Sequence, residues 1–337
     1  MKNNQKEGLS MYKAEVKGKG GIVARVVAKS ANKSNPESVI CTFELEYPRF
    51  IHSELMTHRL FSRNAMSSRA VPVAKMINHV KDNPAMPIHW GANQAGMQAE
   101  NECDNMVSSY LSGESLGRSD FWKMMANTSG CWAEMLSAAG YHKQIVNRIL
   151  EPYQMMKTVL TATELDNFFY LRCHSDAQPE IKELANCMYK AYQEVESEIL
   201  SEGEWHTPYV DKIFYEDGSI EYFLPEDHTC NSISKDDALK VSSSCCAQVS
   251  YRLLDNSIDK ALDIYDKLVN SKPVHASPFE HQATPMPVFE ECDVVTQNWP
   301  DGVTHMDSKY NYWSGNFKEW IQYRQLIKDN VCDKYNA

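Results

Sequence analysis

Residues 38–70 read SVICTFELEYPRFIHSELMTHRLFSRNAMSSRA. In the first part, Val39, Cys41, Phe43, Leu45 and Tyr47 fall on one side, with Thr42, Glu44 and Glu46 on the other. That is the period of two of a strand with one dry face. A half-wet strand suits an antiparallel sheet, and Pro48 ends it. Past the proline, Ile51, Leu55, Met56 and Leu60 recur at helical spacing, so a helix is expected to lead into residues 57–70. That segment sets His58, Arg59, Arg63 and Arg69 among hydroxyls and an amide, without one acid. A solvated helix face mixes both signs, so the pattern points to an anionic partner.

The rest of the chain makes this local charge conspicuous. Its 337 residues carry a formal net charge of −11, which argues against a nucleic-acid-binding protein. They allow one large domain or two ordinary ones. No apolar run is long enough to span a bilayer, and the N-terminus lacks the apolar core of a signal peptide. No membrane partner is therefore expected. The ten cysteines form no C-x-x-C pair, and no Cys/His cluster has zinc-ligand spacing. A cytoplasmic setting, small core cysteines and no metal are expected.

Residues 1–35 are expected to be loose at the start. Residues 75–130 pass from irregular to helical, and a helix interrupted at Gly140 is expected from Phe121 to about Leu150. A strongly amphipathic helix is expected over 179–200, with Ile181, Leu184, Met188, Ala191, Val195 and Ile199 on one side and Pro179 in its first turn. The polar, turn-rich residues 201–240 are expected to be a linker or insertion between units 1–200 and 241–337. A helix is expected over NSIDKALDIYDKLVN and another over NYWSGNFKEWIQYRQLIKDNV near the end. Strands and helices without a β-α-β rhythm favour an α+β fold, and no dinucleotide or P-loop glycine motif occurs.

Several segments together resemble the flavin-dependent thymidylate synthases. Thr57-His58-Arg59, seven residues, then Ser67, is similar to the family's Arg-His-Arg signature, with Thr57 in place of the first arginine. FFYLRCHSDAQPEI (168–181) is similar to its Leu-Arg-x-x-Ser-x-Ala-Gln-x-Glu-Ile stretch, with Asp176 where histidine is usual. HKQIVNRILEP matches a nucleotide-binding segment. CCAQVSYR (245–252) and HASPFEH (275–281) resemble the family's opening block, here displaced far downstream, as in a circular permutation. FKEWIQYR (317–324) resembles a worn second signature helix, which keeps internal duplication open as well.

The resemblance implies an α+β fold with an antiparallel sheet and long helices in rearranged order. It also implies FAD as cofactor, methylenetetrahydrofolate as carbon donor, NADPH as reductant and a pyrimidine deoxynucleoside monophosphate as substrate, dUMP first. Ser67, Ser68, Arg69, Arg148 and Arg172 would bind the nucleotide, with Arg172 and Ser67 catalytic. Arg172 would stabilise charge developing on the ring. His58, Arg59, Asn167, Ser250, His275, Ser277, Glu280 and Arg324 would serve the flavin and folate side, Arg324 supplying the charge that Thr57 lacks. Arg63 is a further phosphate candidate, and backbone N–H groups around Met66, Ser67 and Ser68 are candidates for cradling an anion. Family members are tetramers with sites between subunits, so a homo-oligomer, dimer or tetramer, is expected. Ala65 and Ala70 replace a family glutamate and tyrosine, which leaves open dCMP as substrate, hydroxymethyl as product (a variant suited to a phage that modifies its DNA bases, acting in the bacterial host cytoplasm), or a decayed flavin- or nucleotide-binding protein.

Overall fold

The computed structural model describes residues 12–108, 113–224, 232–250, 257–288, 299–332 and 334–335. Strands β1 (Ala14–Lys17), β2 (Val23–Asn32) and β3 (Asn35–Pro48) run antiparallel to one another. A two-residue turn joins β2 to β3, and the side-chain oxygen of Asn32 accepts from the Ser34 N–H at 2.9 Å to hold it. One helical turn, α1 (His52–Leu55), leads to β4 (Ser62–Ala65). Next come α2 (Val73–Asp82), the antiparallel pair β5 (Val107–Ser108) and β6 (Ser115–Leu116), the long α3 (Arg118–Ala138), and α4 (Lys143–Val146) with a 3-10 segment at Asn147–Tyr153. β7 (Met155–Ala162) then enters between β3 and β4, giving the order β1-β2-β3-β7-β4. After α5 (Asp166–Arg172) and α6 (Pro179–Glu194), β8 (Glu198–Leu200) adds parallel to β2.

The remaining chain is also built of short elements. β9 (Asp211–Phe214), β10 (Ile220–Phe223) and β11 (Ser232–Ile233) form a small antiparallel sheet. Helices α7 (Lys235–Ala247) and α8 (Ile258–Val269) pack together. A second pair, β12 (Ala283–Pro285) with β16 (Trp320–Gln322), sits beside a three-strand sheet of β13 (His305–Met306), β14 (Tyr312–Ser314) and β15 (Phe317–Lys318). Mixed strands and helices with antiparallel sheets agree with the expected α+β class. Among the described residues, no helix is long and apolar enough to cross a membrane.

Both faces of β3 are buried, which corrects the half-wet expectation. Cys41, Phe43, Leu45 and Tyr47 pack against Ile181, Leu184, Ala185 and Met188 of α6, each large apolar side chain worth roughly 1.5–3 kcal/mol on burial. On the other face Thr42 and Glu44 are covered by the chain beyond residue 200. His206 Nε2 bonds Thr42 Oγ1 at 2.9 Å, and Tyr209 Oη donates to Glu44 Oε2 at 3.1 Å. A three-layer arrangement results, with α6 on one side and α7 on the other. Residues 201–224 and 232–240, expected as a linker or insertion, bury Trp205, His206, Tyr209, Val210 and Tyr222.

Four further expectations are corrected. Residues 14–17 and 23–32 are strands, so looseness does not run through the 1–35 stretch, because β2 pairs along most of β3; residues 1–11, the start expected to be loose, lie outside the described residues. The helix expected over residues 51–60 is one turn long, since residues 62–65 pair instead with Thr158–Thr161 of β7. The helix over 179–200 stops at Glu194, because Glu198–Leu200 join β2 as β8; Ile199 is exposed. The C-terminal helix is absent: Tyr312–Gln322 form β14, β15 and β16, and Tyr323–Leu326 a 3-10 turn.

Candidate functional site

Three clusters hold the candidate residues, and the 57–69 segment runs through all of them. The first lies where α1 meets the end of α5. Arg172 donates from Nε to His58 Nε2 at 2.9 Å and from its second terminal nitrogen to Thr57 Oγ1 at 3.3 Å. The His58 ring is clamped by Phe61, stacked at 5.7 Å, and by the edge of Phe168 at 4.9 Å. Burial, with Arg172 and Arg63 nearby, pushes its pKa down to about 4. His58 is therefore neutral near pH 7, protonated on Nδ1, and able to accept from Arg172. Arg172 makes no ion pair among the described residues. It is a cation held in place by two neutral groups. Asn167 is exposed on the first turn of α5, and Arg59 is exposed beside His58.

Arg172 lines an open cleft of about 1260 Å3. One wall is the turn from Ser175 to Glu180 and the start of α6; the other is the stretch Pro87–Glu100, with Phe50, Glu54 and Trp122. That second wall is a built lobe. Glu180, only 2% exposed, accepts from the Ile88 N–H at 2.7 Å, His89 Nε2 donates to Ala99 O at 2.7 Å, and Gln98 Nε2 donates to Asp176 O at 3.3 Å. Sequence reasoning gave residues 75–130 no role; the only signal was their irregularity, which a binding loop shares with any other loop.

The second cluster lies beyond β4. Ser67 Oγ accepts from the Arg69 N–H at 3.3 Å, and Ser68 is buried. Asn147, missed in the sequence, fastens this loop by donating to Ser68 O at 2.7 Å and Val71 O at 3.0 Å. Arg148, its neighbour, is exposed and paired to Glu151 at 3.1 Å. Arg69 is exposed, with no side-chain hydrogen bond or ion pair among the described residues. The Met66 N–H does not join an anion cradle, because it donates to Lys157 O at 2.8 Å.

In the third cluster the 3-10 turn Ser277–Glu280 packs against β4. Glu280 pairs with Arg324, which also donates to Asn330 O at 3.2 Å. Arg324 is thus neutralised locally and does not replace the missing charge at Thr57. Arg63 joins this cluster to the first: it donates to Leu55 O at 2.8 Å, and its pKa is lowered by burial against the opposing pull of Tyr47 and Glu280. His275 and Ser277 are exposed. Ser250 lies in the 3-10 turn Gln248–Ser250, and Tyr251 and Arg252 of its motif fall outside the described residues.

Behind these clusters a buried polar seam crosses the sheet. Ser30 bonds His206 Nδ1 at 2.9 Å, His206 Nε2 bonds Thr42, Thr42 bonds Thr161 at 2.7 Å, and Thr161 bonds His281 Nδ1 at 2.8 Å. Burial lowers the His281 pKa to about 3 and that of His206 well below its usual range. The Cys173 thiol beside Arg172 is pushed up by burial, as suits a structural cysteine. Among the described residues no group of three or more His, Cys, Asp or Glu is placed to hold a metal ion.

Comparison with known proteins bears on these clusters. The family described as thymidylate synthase complementing protein matches residues 2–196. The chain belongs to that family. The match spans the Thr57-His58-Arg59, Arg148 and Arg172 segments and stops before residues 245–281, the blocks read as the family's displaced opening. A solved structure, UMP/dUMP methylase PolB from Streptomyces cacaoi bound with 5-Br dUMP, is similar at 18% identity and TM-score 0.38, over 52% of this chain and 92% of that chain. No curated protein matches the chain in sequence.

The cleft that Arg172 lines is not lined by Ser67, Arg69, Arg148 or Ser277.

Proposed function

We propose that the protein binds FAD and a pyrimidine deoxynucleoside monophosphate and transfers a one-carbon unit from methylenetetrahydrofolate to C5 of the pyrimidine, with NADPH as reductant. The observation that carries this reading is Arg172. Its guanidinium is oriented by His58 and Thr57, is paired with no carboxylate among the described residues, and opens on a cleft large enough for a nucleotide.

Charges suited to the flavin and nucleotide phosphates are present. Arg59 and Arg69 are exposed and outside every ion pair among the described residues, and planar guanidinium groups bind phosphate bidentately. Arg59, Asn167, Ser277 and His58 are the residues that would hold FAD, with Ser250 and His275 beside them. Bound and reduced, FAD supplies the hydride that completes a methyl group. Arg69 and Arg148 bind the nucleotide phosphate, and the Ser67 hydroxyl orients the base. Arg172 donates to the ring's polar edge and stabilises negative charge on O2 and N3 as C5 reacts. Neutral His58 keeps a donor of Arg172 directed without adding a competing charge.

Because Ser67, Arg69 and Arg148 do not line the Arg172 cleft, a second copy of the chain completes each site in this reading. In this reading the 245–250 and 275–281 blocks are the family's opening, displaced in order yet packed back onto β4. Absorbance of the protein titrated with FAD, followed by mass analysis of a labelled nucleotide after turnover with the folate donor, tests the reading. Flavin uptake and a 5-methyl product are expected. A 5-hydroxymethyl product would redirect the reaction class, and no flavin uptake would identify a decayed binding protein.

A further inference from the structure

The turn that carries His58 and Arg59 is held from outside by a distant part of the chain. From within, it is closed by a long backbone bond, Phe61 N–H to His58 O at 3.4 Å. Across from it stands Asn316, in the connection between β14 and β15. Asn316 Nδ2 donates to Leu60 O at 2.9 Å and to Ser62 Oγ at 3.1 Å, and its Oδ1 lies 3.2 Å from the same hydroxyl. Gln322, at the end of β16, sits behind this pair. Its Nε2 donates to Asn316 Oδ1 at 2.9 Å and to Ser62 Oγ at 3.2 Å. Gln322 and Ser62 are each only 1% exposed, so these bonds are made away from water, where a lost partner costs most.

Both ends of this clasp are anchored. Phe317 and Trp320 are buried with Ile40 and Leu200, which fixes the stretch that carries Asn316 and Gln322. Ser62 pairs with Thr161 of β7. Between the two clasped positions, Leu60 and Ser62, stands Phe61, itself buried. Its ring stacks on the His58 imidazole at 5.7 Å, and His58 Nε2 accepts from Arg172 Nε at 2.9 Å. Contact is therefore unbroken from Gln322 and Asn316, through Phe61 and His58, to the guanidinium. The family match ends at residue 196, so both amides lie outside the part of the chain that it describes.

We propose that Asn316 and Gln322 are positioning residues: by fixing Leu60 and Ser62 they hold the Phe61 ring against His58, and so set the direction of the Arg172 guanidinium. This rests on reading Arg172 as the group that acts on the substrate ring. A donor displaced by about 1 Å loses much of its effect on a reaction, so a clasp far from the chemistry governs its rate. The His58 ring reports the arrangement. Phe61 and Phe168 face it, with the cations Arg172 and Arg63 nearby. Burial first, and then these two arginines, hold its pKa down. Loosening Phe61 admits water and frees Arg172 to swing away, and both changes raise that pKa.

The test is NMR titration of the His58 imidazole in the full chain, for the natural protein, Asn316→Ala and Gln322→Met. The second variant keeps the length of the side chain and removes its amide. Turnover of dUMP by the same proteins, supplied with FAD and the folate donor, is measured alongside. The natural His58 is expected to titrate at about 4. In both variants its pKa should rise by at least about one unit, and kcat should fall at least about tenfold, with the fold retained. An unshifted His58 in the folded variants overturns the inference and leaves the proposed function standing. A shifted His58 with natural turnover also overturns it, because Arg172 would not depend on the clasp. Loss of the folded state in both variants assigns the two amides to the fold alone and overturns it as well. If the natural protein turns over neither dUMP nor dCMP, the proposed function falls, and the His58 titration decides the clasp by itself.

Discussion

Arg172 and Arg324 are both partly shielded arginines, and their partners differ in kind. Arg324 is matched by the Glu280 carboxylate and the Asn330 carbonyl, so its charge is answered inside the chain. Arg172 is held by a hydroxyl and a neutral imidazole, which fix its direction and leave its charge unanswered among the described residues. A cation oriented by neutral groups beside a cleft is arranged for an external anion or a developing negative charge. A cation closed on a carboxylate holds parts of the fold together. In the proposed reading the difference separates a site from a clasp, although both arginines were read from the sequence as functional.

The largest effect expected from this contrast is catalytic. Arg172→Ala should lower turnover by about 10²–10³-fold, the usual cost of losing one preorganised donor, with little change in stability. A loss below tenfold would dissolve the contrast. On the structural side, His206→Ala removes a ring that joins Ser30 to Thr42 and leaves two buried hydroxyls short of a partner. It should cost about 3 kcal/mol or more in denaturant unfolding.

Arg324→Ala should destabilise by about 1–3 kcal/mol because Glu280 loses its partner, while nucleotide affinity stays within threefold. A drop in affinity without a drop in stability would move Arg324 to the other side of the comparison.

Acid should act on both regions. His58, with its pKa near 4, and His281, near 3, are neutral when folded, whereas an ordinary histidine near 6.5 protonates first in the unfolded chain. The unfolded state then binds more protons, so stability falls as pH drops below about 6.5, by up to about 1.4 kcal/mol per pH unit for buried His281. The decline should continue to about pH 4 for His58 and about pH 3 for His281. Denaturation midpoints unchanged between pH 7 and pH 5 would contradict it. The smallest stability effect belongs to Arg148→Ala, which breaks only an exposed pair with Glu151 and should change stability by less than about 0.5 kcal/mol.

How far the sequence went depended on the range of the interactions involved. β3 was legible because alternation is local, and α6 because its apolar period and Pro179 are local. The second buried face of β3 was not legible, since His206 and Tyr209, which cover it, lie far along the chain. The helix expected after Pro48 gave way to β4, whose pairing with β7 outweighed a local period. At the C-terminus a helix was expected over residues 311–331, yet Gly315, at φ 60°, and Asn316 form the two-residue connection between β14 and β15. Ser-Gly-Asn was the turn signal there. At the candidate site, the signature residues Thr57 and His58 meet Arg172, but no single-residue motif reveals that they serve as neutral holders of its guanidinium. Nor does one reveal that Pro87–Glu100 forms the facing wall.

The most direct measurement compares binding of a pyrimidine deoxynucleoside monophosphate by the flavin-supplied protein and by Arg172→Ala, with Arg324→Ala alongside. Strong binding by the natural chain, a loss of at least about tenfold in the first variant and near-natural binding in the second are predicted. Equal binding by all three proteins would contradict the assignment of Arg172 as the unanswered charge on which the site is built.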